Sequence, residues 1–203
     1  MTGRRVELAT NHRARTFNLA VKACFAVLLG LVVFVPDLEG FQGKAPLARA
    51  LTYPIAALVV PVGWWSMRRR PRPRYPHAAD ALIGLPFVID MAGNVPDLYD
   101  RLGWWDDANH LWNWALLCLG VGLLLRRSPR VDDRRVLAGL VAGFGGLSII
   151  WWEAGEYVAF IRNSSELDTA YTDTLGDLLL SSTGGVVAGV LLGTCLWDWG
   201  ARQ

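Results

Sequence analysis

The sequence predicts an all-α fold: a polytopic membrane bundle of about six spanning helices, with N- and C-termini cytoplasmic. Three observations carry this. Of 203 residues, 53% are hydrophobic and 19% charged, an apolar share above that of ordinary soluble domains. Six stretches are long enough to cross a hydrocarbon core of about 30 Å, which takes about 20 helical residues. The basic residues gather on one side of those stretches.

The first span, Leu19–Pro36, follows a basic start and reads as a signal anchor. A cleaved signal peptide is the alternative, but Ala48-Arg49-Ala50 only weakly imitates a cleavage site, and cutting there would sacrifice the basic anchor. The second span, Leu47–Met67, ends on Trp64-Trp65. The third, Ala78–Val95, follows an arginine-rich linker, and the fourth, Ala108–Leu125, follows Trp104-Trp105. The fifth, Val136–Phe160, carries Trp151-Trp152, and the sixth is Thr174–Trp197. Tryptophan pairs at the edges of apolar runs fit interfacial belts, where the indole N–H stays wet and the ring sits in lipid. A soluble bundle would show polar stripes on its helices, which these stretches lack. Residues 1–203 therefore read as one integral membrane domain.

Orientation follows from the arginines. With the N-terminus inside, the cytoplasmic side holds Arg4, Arg5, Arg13, Arg15 and Lys22, then Arg68, Arg69, Arg70, Arg72 and Arg74. It also holds Arg126, Arg127, Arg130, Arg134, Arg135 and Arg202, against Lys44, Arg49, Arg101 and Arg162 outside. Of the acids, only Glu7, Asp80, Asp132, Asp133 and Asp198 lie inside. A net charge of +2 thus divides into a basic inner face and an acidic outer slab. The near-neutral total excludes nucleic-acid binding by bulk charge and a disordered acidic tail. The partner this pattern implies is the lipid bilayer.

Gly185, Gly189 and Gly193 on the sixth span, and Gly139 and Gly143 on the fifth, recur at four-residue spacing. Lipid supplies no hydrophobic force between helices, so small residues mark close contacts, here within one chain or between the copies of a homo-oligomer. Cys24, Cys118 and Cys195 lie apart in apolar runs, with neither disulfide nor metal-ligand spacing.

Several acids fall within spans, where a lipid-facing carboxylate costs roughly 2.5–3.5 kcal/mol and such groups turn inward and pair. These are Asp90 on the third span, Glu153 and Glu156 on the fifth, and Asp177 on the sixth. Asp106 and Asp107 precede His110 by four and three residues, Asp173 precedes Asp177 by four, and Asp90 with Asn94 and Asn109 with Asn113 repeat that step. Each set can share a helical face. Asp106, Asp107 and Asp173 stand where helices begin, so capping competes with ligand duty for them. Asp97, Asp100, Glu166 and Asp168 read as solvated loop charges, with Arg101 and Arg162 as partners, and His77 as a surface residue.

The order Tyr99-Asp100-Arg101-Leu102, Asp106/Asp107 with His110, Trp152-Glu153 with Glu156, and Asp173 with Asp177 before Gly184-Gly185 resembles the YjdF-like inner-membrane family. More distantly it is similar to VanZ-like membrane proteins. The resemblance spans roughly residues 80–190 and implies a multi-pass protein of a bacterial-type inner membrane, with no established reaction.

The polar set Asp106, Asp107, His110, Glu153, Glu156, Asp173 and Asp177, with Asp90, Asn94 and Asn113 beside it, suits a divalent cation such as Mg²⁺, Mn²⁺, Ca²⁺ or Zn²⁺, or a polar headgroup. Were there catalysis, His110 with Glu153 or Glu156 would divide metal binding and general-base work on a lipid-linked or cell-envelope substrate. A proton- or cation-coupled transporter is one alternative, since intramembrane acids mark ion paths. A non-catalytic scaffold is another. No phosphate loop, nucleophile elbow or dinucleotide motif favours a further class.

Overall fold

A computed structural model describes residues 2–35, 37–42, 44–67, 73–159 and 161–197, without the side chains of 2–10, 39 and 166. Arg68, Arg69, Arg70, Arg72, Asp198, Arg202 and the boundary residues Pro36 and Phe160 lie outside the described residues, as do the side chains of Arg4, Arg5, Glu7 and Glu166. Among the described residues all regular structure is helical: α1 Thr2–Phe34, α2 Pro46–Ser66, α3 His77–Asn94, the single turn α4 Leu98–Arg101, α5 Trp105–Leu125, α6 Arg134–Ala159 and α7 Ala170–Gly193. Five helical segments are long and apolar enough to span: Asn11–Phe34 of α1, α2, α5, α6 running on to Asn163, and α7.

The expected third span forms as α3 but falls short of those five in apolarity, because Asp80, Asp90 and Asn94 share its 18 residues. It can carry them because more than half of its residues are buried within the protein. α1 begins well before Leu19, since the polar residues ahead of that position are mostly good helix formers and continue the same helix.

The helices divide into two packed halves. Phe25 and Val32 of α1, Tyr53 of α2 and Met91 of α3 form one core with Phe41. Trp114, Cys118 and Leu123 of α5, Leu137, Val141 and Ile149 of α6, and Ala188 and Leu192 of α7 form the other. α3 and α5 make the seam, and Trp152 packs against both cores. Outside, Leu47, Leu51 and Ile55 of α2 are 72%, 65% and 70% exposed, a surface that water would not tolerate and lipid solvates. Each tryptophan pair splits: Trp65, Trp104 and Trp151 face out while Trp64, Trp105 and Trp152 are half-buried, because successive helical residues point about 100° apart.

The glycine expectation divides too. Gly185 meets Gly145 backbone to backbone, Gly184 lies on Leu111 and Ala115 of α5, and Gly189 on Ala138 of α6. Gly139 and Gly143 meet nothing within 4 Å. The first set seals the α5–α6–α7 half, while the second faces outward.

Two buried carboxylates of α3 tie the other half together. Near one end, Asp80 accepts from Lys22 at 2.9 Å, Asn18 at 2.8 Å and Tyr75 at 2.6 Å, and Lys22 also donates to the Ala57 carbonyl. His77 is half-buried beside Asn18 rather than free on the surface. At the opposite end Asp90 plays the equivalent part.

Asp133 caps α6, its Oδ1 accepting from the backbone N–H groups of Arg135 at 2.6 Å and Val136 at 3.2 Å. Those bonds hold its carboxyl below the usual range. A depressed folded value means the stabilisation is present above the usual carboxylate range near pH 4 and is lost as pH falls through the lowered value. Asp133→Ala should flatten the acid limb of melting temperature against pH; an unchanged limb would remove the cap from the account.

Candidate functional site

The polar end of the bundle is built from the start of α2, the end of α3, the start of α5, the end of α6 and the start of α7. A chamber of about 140 Å³ there is lined by Asp90, Asp106, His110, Asn113, Glu156 and Arg49, with Tyr53, Trp114 and Trp152 among its aromatic walls.

His110 is its centre. The ring is 6% exposed and stacks on Trp114, with centroids 5.6 Å apart at 17°. Its Nδ1 lies 3.1 Å from Ser181 Oγ, and that hydroxyl also reaches the His110 carbonyl oxygen at 3.3 Å. In the tautomer that satisfies both contacts, Ser181 donates to the carbonyl, Nδ1–H donates to Ser181, and Nε2 carries a lone pair. That nitrogen is 3.5 Å from Asp177 Oδ1 and 3.7 Å from Asp106 Oδ1. Ligand atoms of Asp106, His110 and Asp177 lie within 4.8 Å of one another, and those of His110, Glu153 and Glu156 likewise. Three helices supply this set: α5, α6 and α7.

Glu153 adds a second observation. It is 6% exposed; Oε2 accepts from Thr174 at 3.1 Å, while Oε1 has no hydrogen-bond partner. A buried carboxylate oxygen left bare costs free energy, and here it stands among other acceptors.

The expected residues do not all join the cluster. Asp107 and Asp173 are exposed and belong to neither close group. They do not cap either: α5 is preceded by Trp104 and α7 by Thr169, with no side-chain cap bond at either start. Their place in the first turns still suits the positive helix dipole. Asn113 donates to Asn109 at 3.0 Å and leaves its own Oδ1 without a partner at the chamber wall. Asn94 donates back to the Asp90 carbonyl at 2.8 Å, and its buried Oδ1 is likewise unpartnered.

Asp90 itself is engaged. Arg49 Nε donates to it at 3.1 Å, and Tyr53 and Tyr99 each donate through their hydroxyls at 2.7 Å. Burial, then the Asp90 charge, pushes the Tyr99 phenol well above its usual range, so it stays a donor. Arg49, Tyr53 and Ser181 are among the site residues the sequence reading did not assign; for the first two, four-residue spacing on an apolar span was the available signal. Outside the chamber, Lys44 bridges Asp97 and Asp100, both at 2.9 Å, in the place expected for Arg101, which reaches Asp97 only at 4.0 Å. The Lys44 hydrogen bond draws the Asp97 carboxyl below its usual range.

Residues 17–198 match the model of a family described as "Predicted membrane protein (DUF2238)". No curated protein and no solved structure matches the chain.

Proposed function

The chain belongs to the DUF2238 family of predicted membrane proteins, and from that premise we propose that its polar chamber holds a divalent cation, with His110, Glu153, Glu156, Asp106 and Asp177 as the donor set. The observation that carries this is the company of His110 Nε2, an acceptor nitrogen 3.5–3.7 Å from two carboxylate oxygens. Those separations exceed a hydrogen bond. Two ligands that each bind one ion at about 2.0–2.2 Å sit about 3–3.5 Å apart, which the Asp177 contact matches and the Asp106 contact exceeds by a few tenths of an ångström. The bare Glu153 Oε1 supports the same reading.

Nitrogen and carboxylate donors without thiolate suit Mg²⁺, Mn²⁺, Ca²⁺ or Zn²⁺. Cys118 is buried in the α5–α6–α7 core and stands in neither ligand group. The arginine distribution supports a chamber on the extracytoplasmic side of a bacterial-type inner membrane, with both termini cytoplasmic. The order of the same residues supports the likeness to YjdF-like and VanZ-like proteins. At the other end Asp80 is consumed by Lys22, Asn18 and Tyr75, which favours a one-sided cup over a through path. A cation held there would polarise an oxygen of a lipid-linked or cell-envelope substrate. In that chemistry His110 would hold the cation, and Glu153 or Glu156 would take the proton at a carboxylate oxygen.

Elemental analysis and Mn²⁺ or Zn²⁺ titration of the purified protein test this. His110→Ala and Glu156→Gln should lose binding by more than about 100-fold, and Ser181→Ala, which only orients the ring, by roughly 10–100-fold. Affinity should also fall on acidification, since the donors bind deprotonated. Folded wild-type protein that takes up neither metal would remove the reading.

A further inference from the structure

The chamber wall carries a polar atom that lies outside the cation donor set. Asn113 is 7% exposed and lines the chamber, and its Oδ1 has no hydrogen-bond partner. Its amide cannot turn over to hide that oxygen. Asn109 Nδ2 donates to the Trp105 carbonyl at 2.7 Å, which leaves Asn109 Oδ1 as the acceptor for the Trp112 indole N–H at 3.1 Å and for Asn113 Nδ2 at 3.0 Å. An indole N–H only donates and a carbonyl only accepts, so both amides are fixed in orientation. Turning Asn113 over would set two carbonyl oxygens against each other. A bare acceptor is thereby held at the chamber wall, and only a group that brings an N–H or O–H can meet it.

The charges around it are unequal. Arg49 is the one cation among the described lining residues, and Asp90 engages it through two nitrogens. Lys44, further out, is held by Asp97 and Asp100. Glu153, Glu156 and Asp177 have no lysine or arginine partner among the described residues. A divalent ion balances two of those three carboxylates and leaves one negative charge over, in a place largely shielded from water. The remaining wall is aromatic. Trp152 stands 5.7 Å from Trp114, 6.2 Å from Tyr53 and 6.5 Å from Phe87 between ring centroids, and all four rings line the chamber. Such rings attract an organic cation, but they offer no ligand atom to a second metal ion. At about 140 Å³ the space is close to that of a cavity that takes up a ring of about six carbons, so a charged nitrogen with a short alkyl stem has room.

We propose that the chamber seats a primary alkylammonium, from a lipid headgroup or a small free amine, with one N–H on Asn113 Oδ1 and its charge balanced by the carboxylate left over. The inference deepens the cation reading and rests on it for the charge count. A water molecule or a hydroxyl would meet Asn113 but leave the charge. A quaternary ammonium would meet the charge but has no N–H for Asn113.

The test uses the purified chain in detergent, loaded with Zn²⁺ or Mn²⁺, with uptake measured by elemental analysis. Binding is then read by saturation-transfer NMR on the Zn²⁺ form, or by thermal shift on the Mn²⁺ form. The probe is propylammonium at neutral pH, with 1-propanol as the uncharged control and tetramethylammonium as the control without N–H. Propylammonium is expected to bind about tenfold more tightly than either. Asn113→Leu, close to it in shape, should lower that affinity roughly tenfold while metal uptake persists, because the amide is not in the cation set. Should Asn113→Leu fail to fold, Asn113→Ala removes the same acceptor. Nanodiscs containing phosphatidylethanolamine that suppress the propylammonium signal, where phosphatidylcholine alone leaves it, would assign the ammonium to a lipid headgroup; an unchanged signal would assign it to a free amine. If neither metal is taken up, the cation reading falls and the charge count falls with it. Metal uptake without a preference for propylammonium, or a preference that survives the loss of the Asn113 amide, would overturn the ammonium seat alone.

Discussion

Arg49→Ala should lower stability by about 3–5 kcal/mol, the cost of leaving a buried charge without its partner. The Arg49 and Asp90 side chains are 11% and 12% exposed, so water cannot replace the lost guanidinium. The two phenols would still donate to Asp90, but neither carries charge. The damage should spread across elements, because this one carboxylate joins α2 through Arg49 and Tyr53, α3 through itself and α4 through Tyr99. Asp90→Asn alone should also destabilise, by stranding Arg49. The double variant Arg49→Met/Asp90→Leu should recover most of the loss, since apolar replacement of a buried pair is often neutral or better. Thermal unfolding in a fixed detergent, read as a double-mutant cycle, measures the coupling. If the single variants each cost less than about 0.5 kcal/mol, as ordinary surface substitutions do, the cluster is not a tie between these elements.

That result would also explain why part of the site was hidden in the sequence. Helix positions were legible because they rest on local patterns: apolar runs, tryptophan edges and proline or arginine breaks. His110, Glu153, Glu156 and Asp177 were legible because a charge inside a span has few innocent explanations. What a linear reading could not supply was pairing across distance. Asp90 read as an inward-facing polar residue in need of a partner, but nothing in the linear sequence named Arg49, 41 residues away, as the group that holds it. Counting charges by side placed Arg49 among the outer bases but could not say that it faces inward. Asp107 and Asp173 show the complementary limit. Spacing put them on the right turns, whereas inclusion in the cluster depends on helix rotation, set by how α5 and α7 pack.

That packing can be broken at one atom. Gly184→Val should be severely destabilising, because a Cβ at this position runs into the Leu111 carbonyl oxygen and would sit 2.9 Å from the Ala115 nitrogen. Both are helix backbone and cannot swing away as a side chain would. Overpacking of this kind costs about 1–3 kcal/mol and sometimes more, and the only relief is for α7 to move off α5. Relief of that sort reaches the site. Ser181 lies one turn from Gly184, and Asp177 one turn further along α7 from Ser181; both touch His110 on α5. The variant should therefore lose cation binding together with stability, while Gly143→Val, whose Cβ meets open space, should leave both within about 0.5 kcal/mol of wild type. Melting temperature and Mn²⁺ titration on the two variants in parallel read this out. Equal losses would mean that valine is simply a poor residue in these helices. A loss confined to Gly184→Val would locate the requirement in the α5–α7 contact, where it fixes the separation between the histidine and its carboxylates.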